Sequence, residues 1–125
     1  MVIRVTDKEI DLSGSTSELR KIAGALGRLR CGQICEFEAD LSADPAPYDR
    51  VLSGFRVVVS SGPVRVTAAG SLLMVEGDAD QIANFASRFS FPEDAKFPVH
   101  YHFEWFPGNP HIAEDSCPLV ISVEK

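Results

Sequence analysis

The chain has 125 residues, 45% of them hydrophobic and 24% charged, with a formal net charge of −6. That length suits a single domain, 1–125, able to bury a core without metal or disulfide staples, and the composition excludes disorder. The negative charge argues against nucleic acid, because phosphate binding relies on Lys and Arg to displace counterions.

No apolar run approaches the roughly 18 residues a membrane span needs. Met1 to Glu9 alternates like a strand and lacks the apolar stretch of a signal peptide. Cys31, Cys35 and Cys117 are an odd set that makes no disulfide framework, and they read as reduced thiols, so a cytoplasmic location is expected. The charge is uneven. Residues 1–62 hold nine acids against eight bases, and residues 63–125 hold nine against four. A lopsided acidic field steers a basic partner towards one region, although plain solubility also accounts for it.

In chain order, Val2 to Val5 and Glu9 to Leu12 read as short strands around Asp7-Lys8. Ser15-Thr16-Ser17-Glu18 has the spacing of a capping box, with Ser15 as cap and Glu18 reaching back. Leu19, Ile22, Ala23, Leu26 and Leu29 recur at helical spacing, which predicts a helix from about Thr16 to Arg30. Gly24 and Gly27 weaken it by about 1 kcal/mol each relative to Ala. Gln33 to Asp40 alternates as a strand, Leu41 to Asp49 is a Pro-containing loop, and Phe55 to Val59 is a strand closed by a Ser60-Ser61-Gly62-Pro63 turn.

The same order then returns. Val64 to Ala68 and Leu72 to Glu76 read as strands, Asp78 and Gln81 repeat the cap spacing, and Ile82, Phe85, Ala86 and Phe89 repeat the helical stripe. Val99 to Phe106 alternates, a Pro-rich loop follows, and Leu119 to Val123 is a last strand. A slide of 63 residues superposes Gly14 on Gly77, Ser15 on Asp78, Glu18 on Gln81, Leu19 on Ile82, Ile22 on Phe85 and Leu26 on Phe89. The expected fold is α+β, a two-layer sandwich with a mostly antiparallel sheet and two helices on one face, built from two ββαββ repeats, 1–62 and 63–125. Its open sheet face would carry Glu36, Glu38 and Asp40 from one unit and His100, His102 and Glu104 from the other.

Residues 100–106 are the only segment dense enough for chemistry. Alternation sends His100, His102 and Glu104 one way and Tyr101, Phe103 and Trp105 the other. Two histidines and a carboxylate on one face, with His111 as a further ligand, could hold zinc or iron. The plainer reading, an amphipathic strand whose polar side faces water, is favoured because only three histidines exist. Ser116 near His111 lacks a nucleophile elbow, and Cys31 and Cys35 are wrongly spaced for a redox pair.

From Val75 onward the chain carries Glu76-Gly77-Asp78 and a helix with Ile82 and Phe85. His100-x-His102-Phe103-Glu104 follows, then a Pro-Gly loop leading to Ser116-Cys117-Pro118-Leu119-Val120-Ile121. This pattern resembles the Imm32-type immunity proteins of bacterial polymorphic toxin systems, over about the last 50 residues, with a fainter echo from Gly14 to Leu29. The resemblance implies a small intracellular inhibitor, without enzymatic activity or cofactor, that binds and neutralises a cognate toxin by occlusion. The expected partner-binding residues are His100, His102, Glu104, His111, Glu114 and Asp115, the last three on one loop. The alternative is a small metal-binding or metal-dependent enzyme using His100, His102, Glu104 and His111. A second copy of the chain, forming a homodimer, is left open as a further partner; nucleic acid and membrane are not expected.

Overall fold

A computed structural model describes residues 1–124. Its elements run β1 (Val2–Val5), β2 (Ile10–Gly14), α1 (Thr16–Leu26), β3 (Ile34–Glu38), β4 (Arg50–Val51), β5 (Gly54–Val59), β6 (Arg65–Ala69), β7 (Leu72–Gly77), α2 (Ala79–Ala86), β8 (His100–Phe103) and β9 (Leu119–Val123). A 3-10 turn, Ser87–Phe89, extends α2. The fold is α+β, as expected. Its strands, however, divide into two sheets where the sequence suggested one. A five-stranded sheet runs β4-β1-β2-β9-β8, and a four-stranded sheet runs β3-β5-β7-β6.

The division follows from how the halves interlock. The β1–β2 hairpin of the first half pairs in parallel with β9 of the second, and the β6–β7 hairpin of the second half pairs in parallel with β5 of the first. The registers correspond: Gly14 lies opposite Val123, and Gly77 lies opposite Val59. Just past these pairs, Glu124 N–H donates to Gly14 O at 2.9 Å and Ser60 N–H donates to Gly77 O at 2.7 Å. One consequence corrects the expected open face. Glu36 and Glu38 sit on β3, at the edge of the four-stranded sheet, while His100 and His102 sit on β8, at the edge of the other.

Both helices start where the cap spacing put them. Ser15 accepts from the Glu18 N–H, and Glu18 Oε1 accepts from the Ser15 N–H, completing the box. Asp78 accepts from the Gln81 N–H in the same way. The first helix ends at Leu26 rather than Arg30, because Gly27 stands at its C-cap and glycine gives up the most backbone freedom in a helix. The strand expected from Val99 to Phe106 shortens to His100–Phe103, since β9 offers it partners only from Leu119 to Ser122.

The apolar stripes all turn inward. Leu19, Ile22 and Leu26 of α1 and Ile82, Phe85 and Phe89 of the second helical segment are buried in one core with Ile3, Leu12, Val57, Leu73 and Ile121. An aromatic cluster ties the layers together. Phe85 sits 4.9 Å from Phe103 of the five-stranded sheet and 6.3 Å from Phe55 of the four-stranded one, ring centre to ring centre. Glycine at 77 also has a packing reason, as a Cβ there would come within 3.1 Å of the Val64 backbone.

Phe85 is fully buried and touches aromatic rings of both sheets. Phe85→Ala should therefore cost about 3–5 kcal/mol in urea denaturation. Ser15→Ala, which removes only a helix cap, should cost about 0.5–2 kcal/mol.

Candidate functional site

Strand pairing lays a row of polar side chains across the outer face of the five-stranded sheet. These positions alternate with the core residues Ile3, Val5, Ile10, Leu12, Leu119 and Ile121. The register sets Arg4 opposite Asp11, Ser13 opposite Ser122, and Ser122 opposite His100. Arg4, Asp11, Ser122 and His100 therefore cross four adjacent strands. Ser122 Oγ donates to Asp11 Oδ1 at 3.3 Å.

The loop before β4 folds over one end of this row. Arg4 Nε donates to the Asp44 carbonyl at 3.0 Å, and the Tyr48 hydroxyl donates to Glu9 Oε2 at 2.6 Å. On this face lies an open cleft of about 630 Å³ whose lining includes Arg4, Asp11, Tyr48, Phe97 and Ser122. Desolvation pushes the Asp11 carboxyl above the usual carboxylate range, against the pull of the Ser122 hydrogen bond and the Arg4 charge. Burial, then the bond to Glu9, drives the Tyr48 phenol far above its ordinary value, so it stays a donor. A carboxylate short of water favours a cationic group that replaces the lost solvation. Nothing in the Ile10-Asp11-Leu12 alternation signals this, because the covering loop lies more than thirty positions away in the chain.

The residues singled out from the sequence fall into separate groups. His100 and His102 are exposed neighbours on β8, with ring centres 5.0 Å apart, and Glu104 is exposed just beyond the strand. His111 Nδ1 lies 3.0 Å from Gln81 Oε1 at the start of α2, which fits an Nδ1–H donor. Asp115 is bound to Arg65, its Oδ1 3.0 Å from Nε, and Arg65 also meets Glu76 at 3.4 Å. Glu114 is exposed. Among the described residues no three His, Cys, Asp or Glu side chains are grouped to hold a metal ion, so His100, His102, Glu104 and His111 do not form the ligand set the alternative reading needs.

Other nucleophile candidates are accounted for structurally. Ser116 Oγ accepts from the Val66 N–H at 3.1 Å and donates to the Val64 carbonyl at 3.3 Å, which fastens its loop to β6. Burial raises the Cys35 and Cys117 thiols and keeps them protonated. Among the described residues no helix is long and apolar enough to cross a membrane. No family model, curated protein or solved structure matches the chain.

The Asp11 environment has a thermodynamic signature. The folded state holds the Asp11 proton more tightly than the unfolded chain does. The stability this contributes is present below the unfolded pKa and is lost as pH rises through the folded one. Asp11→Asn, which keeps an acceptor for Ser122, should raise the melting temperature at neutral pH. The gain should shrink as pH falls through the carboxylate range, which a pH series of thermal melts would test.

Proposed function

We propose that the chain is a non-enzymatic, immunity-type protein that binds a cognate bacterial toxin in the cytoplasm and neutralises it by occlusion. The observation that carries this reading is the Asp11 cleft. A partly desolvated acid stands on an open sheet face in a cleft that Tyr48 and Phe97 also line, the arrangement expected for a pocket that takes a Lys or Arg side chain from a protein partner. The resemblance of residues 76–121 to Imm32-type proteins supports the same class.

In this reading Asp11 is the anchor, and His100, His102 and Glu104 continue the docking face along β8. His111, Glu114 and Asp115 form an acidic flank on the loop before β9. A desolvated acid chiefly slows dissociation, while exposed acids chiefly speed encounter. Asp115 already neutralises Arg65, which leaves Glu114 as the stronger steering charge of that pair.

The test is a bacterial protection assay with the toxin encoded beside this chain, read together with purified-protein binding and melting curves. Asp11→Asn should weaken binding by about tenfold or more, mainly by faster dissociation, and Asp11→Lys should abolish protection while the protein stays folded. Native protection by both variants would refute the anchor. Glu114→Lys with Asp115→Lys should slow association and flatten its salt dependence, with little change in stability, because exposed ion pairs contribute little.

A further inference from the structure

We infer that the chain forms a symmetric homodimer by antiparallel pairing of β8 with β8 of a second copy, centred on His102. The inference stands independently of the toxin reading. Val123 N–H donates to the Val99 carbonyl at 2.9 Å, so residue 99 turns its carbonyl towards β9 while its N–H donates to the Lys96 carbonyl at 3.0 Å. In an antiparallel ladder this alternates, so residues 101 and 103 also face β9, and His100 and His102 present their N–H and C=O groups to the open edge, with Glu104 just past the strand end. Such an edge is a template for a further strand.

The surface along this edge is apolar to an unusual degree. Of the exposed large hydrophobic residues among the described ones, Phe97, Val99, Tyr101 and Phe106 all belong to this one stretch, and Ile34 and Leu41 lie elsewhere. Pairing centred on His102 sets Tyr101 beside Phe103 of the second copy and Val99 beside Trp105. On the other face it sets His100 opposite Glu104 of the second copy, twice over by symmetry. An imidazole N–H facing a carboxylate across the ladder is a favourable polar pair, and His102 meets the His102 of the second copy at the axis. A two-fold interface must be self-complementary, and this register is.

The remaining sheet edges lack that property. β4 has two residues. β6 is strapped by the loop before β9, through Val64 N–H to His111 O at 2.9 Å, Ala113 N–H to Val64 O at 2.7 Å and Cys117 N–H to Val66 O at 2.8 Å. β3 is open, but Val59 N–H donates to Gln33 O, so its edge residues are Ile34, Glu36 and Glu38. Centring a symmetric pair on Glu36 would set two carboxylates against each other and each Ile34 against a Glu38. Of the two open edges, β8 is therefore the one that accepts its own copy.

Analytical ultracentrifugation of the full chain over a concentration series tests the proposal. The wild type should sediment as a dimer that dissociates on dilution. His102→Pro removes a central edge N–H and should weaken the dimer by about tenfold or more, with the thermal melt reporting that the fold survives. Glu104→Arg should weaken it comparably, and adding His100→Glu should restore it by reversing both cross-dimer pairs. That restoration is a readout a folding defect cannot produce. A wild type that stays monomeric at its highest soluble concentration would overturn the proposal, as would a double variant no more dimeric than Glu104→Arg. A failed toxin assay leaves these outcomes untouched.

Discussion

The two parallel pairings, β2 with β9 and β7 with β5, are the constraint on which the rest of the molecule depends. Parallel strands cannot be joined by a tight turn, so each pairing needs a long connection to bring its partner back. Here β5 and β7 are joined by residues 60–71, which carry β6, and β2 and β9 by residues 15–118, which span the rest of both halves. Ile10 is held against Leu119, and Gly54 against Leu72, so each sheet is complete only when both halves are in place. A half on its own would expose one apolar hairpin face and one helical stripe, and neither could be covered from within.

Interlocking also decides where the aromatic mass goes. Phe103 comes from the five-stranded sheet, Phe55 from the four-stranded one, and Phe85 and Phe89 from the helical layer, with Phe89 5.2 Å from Phe85 and 6.0 Å from Phe55. These rings close the core where the layers meet, so the two sheets and the helices are held by one apolar network rather than two. The sheet faces turned away from this network are free of packing duty. On the five-stranded face that freedom is used for charge, and a loop then removes water from Asp11 that the sheet alone would have left in place.

The helices and most strands were legible because local rules sufficed. Ser15 with Glu18, and Asp78 with Gln81, mark helix starts through contacts three residues apart, and the Leu19-to-Phe89 stripes follow from a 3.6-residue period. Sheet membership was not legible. Whether β9 joins β2 or β5 depends on pairings between residues more than a hundred positions apart, and no local pattern encodes them. The site suffered for the same reason. The histidine strand stood out because its signal lies within five consecutive residues. Asp11 did not, since the cleft it shares with Tyr48 and Phe97 is assembled only by the tertiary fold. Gln81 makes the point in miniature: its spacing suggested a second capping box, but in the fold its side chain meets His111 instead.

Both halves open with a hairpin and a helix, and their surfaces differ in the long loops that follow. The loop before β4 folds back over the outer face of β1 and β2, through Arg4 and Tyr48, and builds one wall of the cleft. The corresponding loop before β9 runs instead along the edge of β6, through Val64, Val66 and Ser116. One loop makes a concavity and the other closes an edge. Because β3 is acidic where β8 is mixed in charge and apolar, the two uncovered edges are not equivalent either. The fold thus presents one acid-lined cleft and one uncovered β8 edge on the same five-stranded sheet. A strand added at β8 would extend that sheet beyond His100 without covering Asp11, which lies two strands further in. Self-association would therefore leave the Asp11 anchor open to a basic partner while taking up His100, His102 and Glu104 at the edge of the docking face.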